Sequence, residues 1–203
     1  PPHEIAPGVN LEFHSAGHLL GSALVSLDVK SDTHHRHKIL FSGDLGQPNQ
    51  PILRHFDYPE KADILLIESD ERFARYTFKY IRPTHYVITN LYRDQLTRNG
   101  HPEWVFDAIA DSIYDGTQLI LNADDPLVSR FGIGRENVVW FGADKLSTDT
   151  ENLVSAYNDG AYCPVCKAPM TYSTYHYNHI GHFKCTKCGE VFDVFKEINL
   201  PED

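Results

Sequence analysis

The stretch that decides the fold is Ala62-Asp63-Ile64-Leu65-Leu66-Ile67-Glu68-Ser69-Asp70-Glu71-Arg72. Four apolar residues run without alternation and end on a carboxylate. A strand covered on both faces reads this way when its C-terminal tip carries chemistry. The pattern predicts a strand over 64–67 with Glu68 at its end. Downstream, Phe73, Tyr76, Thr77 and Tyr80 recur at the 3–4 spacing of an amphipathic helix over 70–81. Pro83 stops that helix, and 85–89 reads as the next strand. Residues 102–114 read as a second helix, with Pro102 at a favoured first-turn position. Strands follow at 118–121 and 138–141.

Strands and helices in alternation, with short connections, predict an α/β fold. Its sheet is mostly parallel with flanking helices, and 64–68 is shared as the first strand. Ligands bind such sheets at the C-terminal strand ends. The residues there are Glu68, then Asn90 with Asp94, then Asn122 with Asp124 and Asp125, all candidate cofactor-binding groups. Asn and Asp also cap turns and helices, and Asn122 and Asp125 keep that second reading. Gly132-Ile133-Gly134 lacks the third glycine and the strand-to-helix setting of a dinucleotide fingerprint.

Upstream, 23–29 alternates with period two, 31–37 is a polar turn and 38–41 reads as the returning strand of a hairpin. His18 and Asp44 sit in glycine-flanked turns beside these strands. An imidazole and a carboxylate together suit zinc or manganese, and the bland reading is that each caps a turn. His34, His35 and His37 read as a solvated hairpin tip.

Cys163-Pro164-Val165-Cys166 and Cys185-Thr186-Lys187-Cys188 stand eighteen residues apart. Each Cys-x-x-Cys makes a knuckle presenting two thiolates, and two knuckles close a tetrahedral four-sulfur site, the pattern of a structural zinc ribbon over 160–195. Between the knuckles, Tyr172, Tyr175, Tyr177, His176, His179 and His182 read as hairpin packing, with a stacking surface or spare ligands as the alternatives.

The 203 residues are 41% apolar and 23% charged, ordinary for a globular protein. The net charge of −10 is spread along the chain, with 5 Lys/Arg and 9 Asp/Glu before residue 70 and 13 and 19 from residue 70 onward. Without a basic stripe, nucleic acid is not the expected partner. No apolar run approaches the ~20 residues of a membrane span. The start, Pro1-Pro2-His3-Glu4, lacks a signal-peptide pattern, so a cytoplasmic location is expected.

Two families resemble this chain in succession. Phe13-His14-Ser15-Ala16-Gly17-His18-Leu19-Leu20-Gly21-Ser22-Ala23, Phe41-Ser42-Gly43-Asp44-Leu45-Gly46 and Ile67-Glu68-Ser69 resemble motifs of the β-CASP branch of metallo-β-lactamase-fold nucleases. That resemblance, over about 8–69, implies His18 and Asp44 as zinc ligands and Asp44 and Glu68 as catalytic groups. The His-x-His-x-Asp-His motif that supplies most ligands in that family is absent. Two ligands cannot hold a catalytic zinc, so the site forms only if completed elsewhere, and no nuclease activity is expected.

Over about 68–195 the chain resembles the middle domain of Mur ligases of the MurT type. The carrying residues are Asp70-Glu71-Arg72, Val87-Ile88-Thr89-Asn90-Leu91-Tyr92-Arg93-Asp94, Arg98-Asn99-Gly100-His101-Pro102-Glu103, Leu121-Asn122-Ala123-Asp124-Asp125, Trp140-Phe141-Gly142 and the cysteine pairs. The resemblance implies an ATP-dependent amide ligase acting on the D-isoglutamate α-carboxylate of lipid II, fed with ammonia by a GatD-type glutaminase. Glu68 would hold Mg²⁺, and Asn90, Asn122 and Asp125 would line the nucleotide pocket. The Gly-rich loop ending in Lys-Ser/Thr is missing before Glu68 and the C-terminal ligase domain is not found, so weak ATP binding and no activity alone are expected. The expected organisation is a metallo-β-lactamase-type segment over 1–69, a Mur-ligase-like segment over 70–159, the ribbon over 160–195 and a tail over 196–203. A non-catalytic composite of two families is the third reading.

Overall fold

The structure, a computed structural model, describes residues 2–31, 35–45, 57, 61–91 and 101–188. His34, Gly46, Asp94, the segment 92–100 and the tail 196–203 lie outside the described residues. The chain divides into two compact units, Pro1–Asp70 and Glu71–Asp203.

The first unit is a five-stranded sheet in the order β1-β2-β3-β4-β5. The strands are β1 His3–Ala6, β2 Val9–Ser15, β3 Ala23–Lys30, β4 Arg36–Phe41 and β5 Ile64–Leu66. The first four pair antiparallel and β5 joins β4 in parallel. The alternation of β3 sets its register, burying Leu24 and Ser26 on one face. Gly8, in the left-handed region at φ 76°, makes the turn between β1 and β2.

This pairing corrects the strand expected over 64–67. Its partner is β4 of the first unit, so it does not open the downstream sheet, and Ile64, Leu65 and Leu66 are each close to half exposed. An unbroken apolar run fits a doubly covered strand, but it equally fits a short edge strand whose neighbour is set by contacts distant in sequence.

The second unit carries a three-stranded parallel sheet, β6 His85–Ile88, β7 Gln118–Asn122 and β8 Val138–Phe141, in that order. The helix expected over 70–81 is one turn, α1 Ala74–Thr77. Its buried residues are Ala74 and Phe78, while Phe73, Tyr76 and Tyr80 face solvent. Arg75 and Lys79 lie over the Tyr76 ring, so the aromatic stripe that looked like a core face is a surface platform for cations. Helix α2, Pro102–Ala110, starts as expected, with His101 Nδ1 accepting the Glu103 amide at 3.2 Å and proline at the first turn. It ends four residues early, where the Ser112 hydroxyl donates to the Ile109 carbonyl at 2.6 Å and competes with helix continuation. Val105 and Ile109 of α2 pack with Ile88, Leu119, Leu121 and Phe131 to make the core.

The hairpin β9 Met170–Tyr177 and β10 Ile180–Cys185 completes the described part of this unit. It is bonded to the α/β part. The Gly181 amide donates to the Asp124 carbonyl at 2.9 Å, and Thr150 and Tyr175 exchange backbone bonds at 3.0 and 2.8 Å. Gly181 has a packing reason to lack a side chain, because a Cβ there would collide with the Thr174 carbonyl and the Tyr175 backbone.

Candidate metal centres and the strand-end cluster

Both cysteine knuckles are built from turn backbone. After the first, Lys167 adopts φ 60° and its amide donates to the Cys163 carbonyl at 3.0 Å, reversing the chain beneath the thiols. In the second, the amides of Lys187 and Cys188 each donate to Cys185 Sγ at 3.3 Å. All four thiols converge. Cys163 and Cys188, Cys166 and Cys185, and Cys166 and Cys188 stand 3.4 Å apart, and Cys185 and Cys188 stand 3.3 Å apart. These are not disulfides, and the group can hold a metal ion.

Zinc–sulfur bonds of about 2.3 Å set tetrahedral edges of about 3.8 Å, so the thiols would spread by a few tenths of an ångström around such an ion. The sulfurs of Cys185 and Cys166 push the Cys188 thiol up, and burial pushes Cys163 up. Burial alone would raise Cys185, but amide donation from Cys188 and Lys187 brings it down to about 6. Four thiolates this close repel one another, and a divalent cation is what allows all four to ionise together.

The last residue of β7 and the turn after it form a second cluster. Asn122 is held between strands, its Nδ2 donating to the Thr89 carbonyl at 2.8 Å and its Oδ1 accepting the Asp124 amide at 2.9 Å. Asp125 is fully buried and accepts the amides of Leu91 at 2.7 Å, Leu127 at 2.8 Å and Val128 at 3.3 Å. Both side chains therefore make the turn and cap bonds that their residue types favour. Asn90, half-buried just beyond β6, places its Nδ2 3.3 Å from Thr89 Oγ1.

Asp124 points elsewhere. Its Oδ2 accepts the Ala143 amide at 2.6 Å and lies 3.6 Å from His176 Nε2. His176 Nδ1 is 2.7 Å from Asp149 Oδ1, and His182 Nε2 is 2.8 Å from the Ala143 carbonyl. A ring nitrogen from each histidine and an Asp124 oxygen lie within 4.8 Å of one another. Burial raises the Asp124 carboxyl against the Ala143 amide and the two imidazoles, which favour its charge. Burial also opposes the charge of Asp149, but the His176 hydrogen bond, the Leu146 amide and the nearby imidazoles outweigh it and hold that carboxyl below its ordinary range.

The sequence pattern places Asp124 among strand-end groups and reads the histidines as hairpin packing, with spare ligands as one alternative. It had no signal for Asp149, which lies in an irregular loop. The usable hint was two histidines on facing strands of a polar hairpin.

His18, Asp44 and Glu68 sit differently. Strand directions bring the loops after β2, β4 and β5 to one end of the first sheet, and the Glu68 amide donates to Ser42 Oγ at 3.1 Å. All three side chains are exposed. Among the described residues they do not join a group of three or more ligand atoms able to hold a metal. Glu68 belongs to the first unit, while Asn90, Asn122, Asp124 and Asp125 belong to the second.

Among the described residues, no helix is long and apolar enough to cross a membrane. No protein-family model matches the chain. A pseudomurein peptide ligase type C from Methanothermus fervidus superposes with a TM-score of 0.47 at 26% identity, over 62% of this chain and 25% of that one. The MurT subunit of the glutamine-hydrolyzing lipid II isoglutaminyl synthase of Streptococcus pneumoniae is 31% identical over 112 residues, 54% of this chain. The MurT subunit of Staphylococcus aureus (strain COL) is 38% identical over 119 residues, 58% of this chain, and the match spans 27% of that relative's length. More than half of the chain is thus similar to about a quarter of a MurT subunit.

Proposed function

We propose that the second unit is the zinc-ribbon-bearing part of a MurT-like, ATP-dependent amide ligase. The reaction would be amidation of the D-isoglutamate α-carboxylate of lipid II in peptidoglycan synthesis, in the cytoplasm, with ammonia from a GatD-type glutaminase. The observation that carries this reading is the 38% identity over 119 residues to a MurT subunit. The converging thiols fit a structural zinc, whose closed four-sulfur shell stabilises and leaves no position for substrate.

In such a ligase the substrate carboxylate would attack the γ-phosphorus of ATP and release ADP, and ammonia would then attack the carbonyl carbon of the acyl phosphate and release inorganic phosphate, with Mg²⁺ supplying charge neutralisation on the phosphates. Within the second unit, Asn90 and Asp94 are the groups proposed on the nucleotide side. Asn122 and Asp125 would shape that side by fixing the backbone between β6 and β7. Without a Gly-rich Lys-Ser/Thr loop before Glu68, ATP binding would be weak and this chain inactive by itself.

The test is a melt of the full chain in Mg-ATP. For a dissociation constant near 1 mM, 10 mM nucleotide stabilises by about 1.4 kcal/mol, or about 3–6 °C. No shift with ATP, or an equal shift with triphosphate alone, would count against the ligase reading.

One observation favours a second reading, a β-CASP-like metal-dependent hydrolase. The loops bearing His18, Asp44 and Glu68 share one end of a sheet. A zinc ion lost on His18→Ala would support it, and an unaltered zinc content would remove it.

A further inference from the structure

We propose that Asp124, His176 and His182 form a second metal site, for a first-row divalent cation of the zinc type, with two imidazole nitrogens and one carboxylate oxygen as ligands. The site ties the β9–β10 hairpin to the turn after β7. It is independent of the ligase reading.

Tautomers are set by the outer bonds. His176 Nδ1 faces the Asp149 carboxylate at 2.7 Å, so that nitrogen carries the proton and Nε2 presents a lone pair. His182 Nε2 faces the Ala143 carbonyl at 2.8 Å, an acceptor only, so the proton sits there and Nδ1 presents the lone pair. His176 is thereby oriented as metal-ligating histidines usually are, with its second nitrogen held by a carboxylate.

His176 is the decisive residue. Its side chain is 3% exposed, and Nε2 is buried with no hydrogen-bond partner. A buried polar atom left this way costs about 1–3 kcal/mol unless something satisfies it. Asp124 Oδ2 stands 3.6 Å away, outside hydrogen-bond range. A nitrogen and an oxygen bound to one zinc at about 2.1 Å, at a tetrahedral angle, stand about 3.4 Å apart. The observed gap is the one a shared cation leaves.

The donor set also selects the class of ion. Imidazole with carboxylate suits zinc and its first-row neighbours, whereas magnesium and calcium prefer oxygen alone. Three protein ligands leave a fourth position, and Asp124, with 12% of its side chain exposed, lies on the solvent side.

The experiment counts metal on the full chain, stripped with chelator, reloaded with zinc and freed of excess. The expected content is two zinc ions per chain, falling to one in His176→Gln and in Asp124→Asn. The ion retained in the cysteine site reports that each variant is folded. Cobalt loading supplies a second readout that needs no variant. The new site adds ligand-field absorption without a further thiolate charge-transfer band. One zinc per chain in the wild type, two in both variants, loss of the second ion on His18→Ala, or cobalt absorption of thiolate type alone would each overturn the proposal.

Discussion

At the open end of the first sheet, His18, Asp44 and Glu68 stand in solvent on turn backbone, while in the second unit Asp124, His176 and His182 are drawn together under the hairpin, with Asp149 behind them. The first trio was expected as ligands from a sequence resemblance that no comparison bears out, and the second follows no motif. Only the second has the physical attributes of a site. Its rings are oriented by outer hydrogen bonds, water is mostly excluded, and donors converge within one ion's reach. A motif specifies which residues are available, whereas burial and outer bonds determine whether they act as one centre.

Zinc removal gives the largest effect expected from this contrast. A structural four-thiolate zinc contributes on the order of 10 kcal/mol of apparent binding energy. Chelation should therefore unfold residues 160–188 first and leave the five-stranded sheet intact. Amide hydrogen exchange would follow both, and equal protection of the hairpin with and without metal would break the comparison at its strongest point.

Next comes backbone packing. Gly181→Ala should cost about 2–4 kcal/mol, because the added methyl meets fixed backbone of Thr174 and Tyr175. Of similar size, Asp125→Ala removes one buried carboxylate from the amides of Leu91, Leu127 and Val128, at about 3 kcal/mol. Asp44→Ala, an exposed carboxylate of the first unit, should stay within about 0.5 kcal/mol. Denaturant melts of these variants sharpen the contrast, and a costly Asp44→Ala would show that the first trio is built after all.

What was legible in the sequence follows the range of the interaction that decides it. The β3–β4 hairpin and the strands β6, β7 and β8 were readable because alternation and turn residues act locally. The cysteine cluster was readable because two knuckles leave little freedom for four thiols. The edge position of β5 was not, since its partner β4 ends 23 residues earlier and both choices of partner suit the same apolar run. Phe73, Tyr76 and Tyr80 had helical spacing, but spacing cannot say whether a stripe meets a core or a row of cations. β1 went unread because its four residues are exposed and carry no alternation of burial. The polar partners of His176 were not readable, because they come from residues 124 and 149, on separate loops.

The smallest effect concerns Glu103, at the exposed start of α2, whose carboxylate takes both Arg130 guanidinium nitrogens at 2.8 Å. That hydrogen bonding holds the Glu103 carboxyl below its ordinary range, against a smaller opposing effect of burial. A depressed carboxylate stabilises the fold fully above its unfolded value, near pH 4.3, and the contribution fades as the pH falls through its lower folded value. The pair is about half exposed on the glutamate side, so Glu103→Gln should cost under about 1 kcal/mol near neutral pH, and less in high salt. Arg130→Ala should cost more, because the guanidinium also lies 3.7 Å above the Phe106 ring, which stacks on Phe106's buried neighbour Phe131. Equal losses in the two variants at pH 7 would mean that the ion pair, and not the stacking, anchors this corner of the core.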